Sequence, residues 1–388
     1  MIRDFSPQAL SAGLLASFVG FASSFAVILR GLTAMGADPA QAASGLMALS
    51  VALGLCGIAL SLWRRMPISV AWSTPGAALL ATTPMAEGGF AGAVGAFVAC
   101  SALVVVCGLW RPLGRLVASI PVALASAMLA GVLLNLCLAP VRAVAEAPLA
   151  GLSIVLTWAV VGRLRRLMAV PASVLVTLGW VVSAAPAGSI PLASLWPHPV
   201  LVMPVFSLSA VIGIAVPLLI VTMASQNIPG MAVLAVNGFR PAPGPLFTVT
   251  GAFSLLAAPF GSHAVNLAAI TASICANEDA HPDPGRRYWA AVVAGAGYVV
   301  FGLLAGAATA FIGAARPVLI EAAAGLALLG AFGGALMGAV SAAGDREAAV
   351  VTFLVTGSGV TFGGVSGAFW GLAAGLGLRE LTRHMKAK

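Results

Sequence analysis

The sequence predicts an all-α membrane protein with 14 transmembrane segments in a 7+7 inverted repeat, on three observations. Of 388 residues, 61% are hydrophobic and 8% charged, with a mean hydropathy of +1.07, whereas a soluble domain carries roughly 25% charged residues. Apolar runs recur from Ser11 to Leu378, many of them of about 17 to 25 residues, the length a helix needs to cross about 30 Å of hydrocarbon. The two halves of the chain also echo each other in order.

Taken along the chain, spans are expected at 9–30, 40–63, 70–86, 89–110, 117–138, 148–164 and 170–186, then at 207–229, 244–257, 261–276, 288–314, 317–341, 346–360 and 362–378. The first is followed by many more, so it reads as a span and not as a cleavable signal. An even number of crossings puts both termini on one side. With that side cytoplasmic, all of the 19 basic residues except Arg30, Arg142 and Arg316 lie inside, as the positive-inside rule requires. A multi-pass protein of the bacterial inner membrane with both termini cytoplasmic is therefore expected. The net charge of +8 is an orientation signal and not a nucleic-acid patch.

The repeat shows first in Leu32 to Pro39, which matches Leu234 to Pro241 at an offset of 202 and lays Ser23-Ser24 over Ser225-Gln226. Ala71 to Thr83 then matches Pro259 to Thr271 at an offset of 188. Each half holds seven crossings, an odd number, so the second enters the membrane with opposite polarity. The units are 1–186, an external linker 187–206, and 207–388.

The matched segments 71–83 and 259–271 share an aromatic residue followed by small, hydroxylated and helix-breaking residues inside an apolar run. Backbone released from a helix at bilayer depth must be satisfied by protein or by a polar cavity. Each segment is therefore expected to start a half-helix, with Pro75 in a first turn, Ser73 or Thr74 as one cap and Ser262 as the other. Two such amino-terminal ends meeting near the midplane would offer N–H groups and positive dipole ends to an anion. His263, at the expected half-helix start, is the one ionisable group placed deep in the membrane. It is read either as a substrate or proton ligand or as a satisfied core histidine.

Asn266 is expected one turn into the second half-helix. Gln226 and Asn227 interrupt an apolar span and are read as ligands of a carboxylate or as bonds between helices. Phe18, Phe21 and Phe25 fall on one face of the first span and, with Trp72 and Phe260, could sandwich an aromatic ring or simply pack. Ser24, which overlies Gln226 in the repeat, joins the substrate candidates.

Other chemistries find no support in the residues. The five cysteines lie in apolar runs without paired or metal-like spacing. No phosphate-binding glycine loop or Ser-His-Asp order at membrane depth is present, so neither an ATP-driven pump nor an enzyme is expected. No cofactor or metal is expected either. All eleven acidic residues map to loops or span ends. The charged run Asn277 to Tyr288 reads as a solvated turn or as a cytoplasmic latch.

The segments Gly31 to Leu46, Arg65 to Leu80, Ser225 to Met231, Pro259 to Ala272 and Asn277 to Tyr288 resemble those of the benzoate membrane transport proteins, the BenE family, in order over nearly the whole chain. The resemblance implies a benzoate/proton symporter related in fold to the nucleobase and sulfate carriers. It implies a core domain, 9–110 plus 207–314, a gate domain, 117–186 plus 317–378, and short extended segments before both half-helices. It also implies a site of Trp72, Ser73, Thr74, Gly76, Gln226, Phe260, Gly261, Ser262, His263 and Asn266. The nucleobase carriers place glutamates where this chain has Gln226 and Val265-Asn266. Either His263 takes the proton, or the substrate enters with it. The expected partners are a small aromatic carboxylate such as benzoate, a proton and the lipid bilayer, with no nucleic acid; a homodimer is left open. The alternative is a carrier or uniporter for another small anion or nucleobase.

Overall fold

The computed structural model describes residues 4–110, 112, 120–184, 196–268, 270–314, 316–362 and 365–386. Among these, eight helices are long and apolar enough to cross a membrane. A ninth is added if Pro284–Leu303 and Ala305–Phe311, bent by 56°, form one span. The chain is thus a mostly helical, multi-pass membrane protein. The segments at 70–86 and 261–276 are each a short strand followed by a short helix, the form that the resemblance implies.

Local chemistry sets the ends. Ser6 caps the helix Pro7–Ala22 through the Ala9 N–H, and Asp38 with Gln41 forms a reciprocal capping box ahead of Pro39–Arg64. The first span breaks at Ser23 and Ser24, whose hydroxyls both donate to the Gly20 carbonyl, and it resumes as the helix Phe25–Ala34. Such back-bonding loosens the helical ladder at the two serines. In the long helix Leu208–Val236, π-type turns at Val211–Ala215 and Met223–Asn227 run up to Pro217 and Pro229. A proline ring clashes with the carbonyl four residues back, and a widened turn relieves that clash.

Glycine lets the helices approach closely. Where Pro39–Arg64 crosses Tyr288–Leu303, a Cβ on either Gly54 or Gly295 would lie 2.5 Å from the other's carbonyl oxygen. Helix Pro7–Ala22 packs on Tyr288–Leu303, and Pro243–Ala257 packs on Gly89–Leu109. Elsewhere Pro317–Val340 packs on Val122–Cys137, which also carries Arg346–Gly357 and its partner Gly367–Lys386. Residues 196–206 lie across the first half, with Val200 bonded to Ser44 and the Val205 N–H to the Ala91 carbonyl.

Two strands sit at the centre. Strand β1, Val70–Trp72, pairs antiparallel with β2, Val265–Leu267, in the register Val70↔Leu267, Ala71↔Asn266, Trp72↔Val265. Buried backbone groups must find partners, and the outward edge of β2 finds them in side chains. The Val265 N–H donates to Ser254 Oγ over 2.8 Å and the Leu267 N–H to Asn227 Oδ1 over 2.9 Å.

Candidate functional site

Beyond β1 the chain turns at once into the half-helix Thr74–Thr82. Ser73 caps it, accepting from the Gly76 N–H over 3.0 Å, and Pro75 occupies the first turn. Ser73 is fully buried, as are Pro75 and Gly76. A Cβ on Gly76 would lie 2.7 Å from Leu218 of the long helix and 2.8 Å from Ser73 Oγ, so only glycine lets the capped end sit this deep. Thr74, the first helical residue, is half-buried. At the other end, a shallow cleft opens between Thr82, Thr83, Val132 and Ser366.

Beside the capped end stands a cluster of rings. Trp72, 2% exposed, donates from Nε1 to Ser24 Oγ over 2.8 Å. Phe21 stacks between Phe25 and Phe301, with centroids 5.5 and 4.9 Å away, and lies 5.6 Å from Trp72. Tyr298 meets Trp72 edge-on at 5.8 Å. Two of the three phenylalanines expected on this face, Phe21 and Phe25, belong to the cluster. Phe18 does not and is 39% exposed. Phe260 joins no ring pair among the described residues; it is half-buried in the turn Ala258–Phe260, where its carbonyl accepts from Ser44 Oγ.

The second segment departs from expectation in position. Gly261 ends the turn in the left-handed region at φ +89, a Cβ there lying 3.0 Å from the Phe90 ring. Ser262 caps no helix, since its hydroxyl donates to the His263 carbonyl. His263 precedes β2 instead of starting a half-helix, and its ring meets Phe97 edge-on at 6.5 Å. Asn266 is the middle residue of β2, and the half-helix begins only at Ile270, running to Ala276. The cause is the strand itself, which uses up the residues expected to form the helical first turn. In the ladder, Ala71 lies opposite Asn266.

Gln226 and Asn227 divide their roles. Asn227, fully buried, holds β2 through Leu267, whereas Gln226 is half-buried within the π-type turn. Ser262, His263 and Asn266 are all fully buried. Among the described residues, the buried side-chain polar atoms left without a hydrogen-bond partner are Thr222 Oγ1, both ring nitrogens of His263 and Asn266 Oδ1. Buried polar groups almost always find partners, so each of these calls for an explanation.

Residues outside the expected set complete the arrangement. Tyr298 and Phe301 contribute rings from Tyr288–Leu303, and Ser69 Oγ lies 2.8 Å from Thr271 Oγ1 beside the strand pair. Their only sequence signal is a tyrosine and a phenylalanine three apart in an apolar run, indistinguishable there from packing. The five cysteines are free and buried, and no cluster with metal-binding composition occurs among the described residues.

A family model described as benzoate membrane transport protein, BenE, matches residues 3–381. The chain is 40% identical over 375 residues to the inner membrane protein YdcO of Escherichia coli K12, covering 95% of this chain and 94% of that one. It is 30% identical over 382 residues to a benzoate membrane transport protein of Acinetobacter baylyi, covering 96% and 95%. Among solved structures, SLC26A9 aligns with a TM-score of 0.64 at 14% identity, over the whole of this chain and 66% of that one. The transmembrane domain of a cyanobacterial bicarbonate transporter, BicA, aligns at 0.58 with 13% identity, over 96% and 98%. At these identities the likeness is one of fold.

Proposed function

Because the chain belongs to the benzoate membrane transport protein family, we propose that it is a secondary transporter importing benzoate or a similar small aromatic carboxylate with a proton, by alternating access. One observation carries this reading: a Ser73-capped helix end lies directly after Trp72 in a cluster of five rings. A helix amino terminus favours a carboxylate by about 0.3–1 kcal/mol, and by up to about 2 when partly buried. Aromatic faces receive the ring. Trp72, Ser73, Thr74 and Gly76 form the first wall of the proposed site, with Phe21, Ser24 and Phe25. Gln226, Phe260, Gly261, Ser262, His263 and Asn266 supply the second.

The site offers no fixed carboxylate to repel an anion. His263, buried with both ring nitrogens unpartnered, is the proposed proton carrier. The finer architecture is part of this proposal: fourteen crossings in two inverted halves, and an inner-membrane location with both termini cytoplasmic. The antiparallel pairing of β1 and β2 about Ala71 and Asn266 supports the inversion, because a two-fold axis sets equivalent strands antiparallel. A core unit, 9–110 plus 207–314, and a gate unit, 117–186 plus 317–378, fit the helix packing described above.

The test is uptake of labelled benzoate by reconstituted liposomes. Accumulation driven by an inward proton gradient and abolished by its collapse is expected; indifference to the gradient refutes the coupling. A second reading, transport of another small anion, is favoured by the rings packing on one another, with Phe21 already sandwiched. Competition by benzoate, hydroxybenzoates, nucleobases and sulfate separates the two.

A further inference from the structure

The charged run after the second half-helix contains one charged residue that is buried. Arg287 is 5% exposed, and its guanidinium spends its donors on backbone carbonyls: Nε to His281 over 2.7 Å, Nη1 to Ala276 over 2.9 Å and Nη2 to Pro282 over 3.3 Å. No carboxylate pairs with it among the described residues. Ala276 is the last residue of the half-helix Ile270–Ala276, and Arg287 is the cap residue of Tyr288–Leu303. One planar group therefore joins the far end of the half-helix, its following loop and the helix that supplies Tyr298 and Phe301. The next residue is tethered as well, since the buried Tyr288 hydroxyl donates to Asp4 Oδ2 over 2.9 Å.

From this geometry we infer that Arg287 is a positioning residue for transport, setting the angle of the second half-helix from behind; the inference rests on the site proposed above. The first half-helix ends differently. Hydroxyls bond its last turns from within, Thr83 Oγ1 donating to Leu79 over 2.7 Å and Thr82 Oγ1 to Ala78 over 3.2 Å. The second has seven residues and no hydroxyl at its end, and its final carbonyl, that of Ala276, accepts from a side chain beyond the loop. A cation at a helix carboxyl end is also favoured by the dipole. Lysine would keep the charge but could not fork to three carbonyls in fixed directions.

Hydrogen–deuterium exchange on the full-length wild type and on Arg287→Lys, without any ligand, tests the placement. Uptake of labelled benzoate in proteoliposomes tests its consequence. Faster exchange confined to 270–282 is expected. The half-saturation concentration should rise about tenfold, the scale of one lost charge-assisted hydrogen bond, with the maximal rate changed less than twofold. Unchanged exchange over 270–282, loosening spread through the whole chain, or an unaltered half-saturation concentration would each overturn the role. Because the exchange measurement contains no ligand, confined loosening upholds the placement even where the wild type takes up no benzoate, a result that counts against the substrate reading alone.

Discussion

Trp72 and Ser24 hold each other across the break in the first span. The indole N–H donates to Ser24 Oγ over 2.8 Å, and the same hydroxyl donates to the Gly20 carbonyl over 2.8 Å. One serine thus opens the helix and fixes the ring beside the capped half-helix. Trp72→Phe keeps an aromatic face but removes the donor. A net hydrogen bond contributes about 1 kcal/mol, so benzoate affinity should weaken roughly fivefold while folded yield stays near wild type, as read by binding calorimetry and size-exclusion yield. Wild-type affinity would remove this contact from the site.

Coupling is predicted to fail at His263. His263→Gln should leave counterflow of benzoate between equilibrated compartments measurable and make net uptake indifferent to an imposed proton gradient. Gradient-driven accumulation equal to that of the wild type would exclude the imidazole as proton carrier.

At the strand edge, Asn227→Leu leaves the buried Leu267 N–H without its acceptor. The penalty of about 1–3 kcal/mol for an unsatisfied buried donor should appear as a lower midpoint of thermal unfolding in detergent. Asn227→Asp, which retains an acceptor oxygen, should lose less. Equal midpoints for the two variants would contradict the edge-closing role.

Arg30 on Phe25–Ala34 pairs with Glu321 on Pro317–Val340 at 2.8 Å, between helices assigned to the two proposed units. Both side chains are partly exposed, and an exposed pair contributes at most about 1 kcal/mol, so either single charge reversal should barely shift thermal stability. Transport is the sensitive quantity: Arg30→Glu and Glu321→Arg should each slow uptake, and the double reversal should restore it. Absence of that restoration argues against coupling through the pair.

Much of the fold is legible in composition, because a bilayer imposes long apolar runs that few other solvents would tolerate. The first half-helix is equally legible: Ser73 and Pro75 are a cap and a first-turn residue wherever they stand together. The second is not. Val265 and Leu267 look like the apolar face of any buried helix, and only pairing with a distant segment, Val70–Trp72, makes them a strand. That long-range contact moves the helix start from His263 to Ile270 and changes Asn266 from a helical residue into the centre of a ladder. Likewise Asn227 and Gln226 are adjacent amides in an apolar span, and only the edge of β2 distinguishes the one that anchors from the one that does not. Residues 185–195, most of the start of the expected linker, lie outside the described residues.

Three residue pairs at the middle of the protein join the strands that lead into the two half-helices. Sliding either one alone past the other by half an inter-residue step would break the ladder and strand its buried N–H groups, a penalty paid several times over. On the function proposed above, a cargo seated against Ser73 would touch an element tied to both halves of the chain at once.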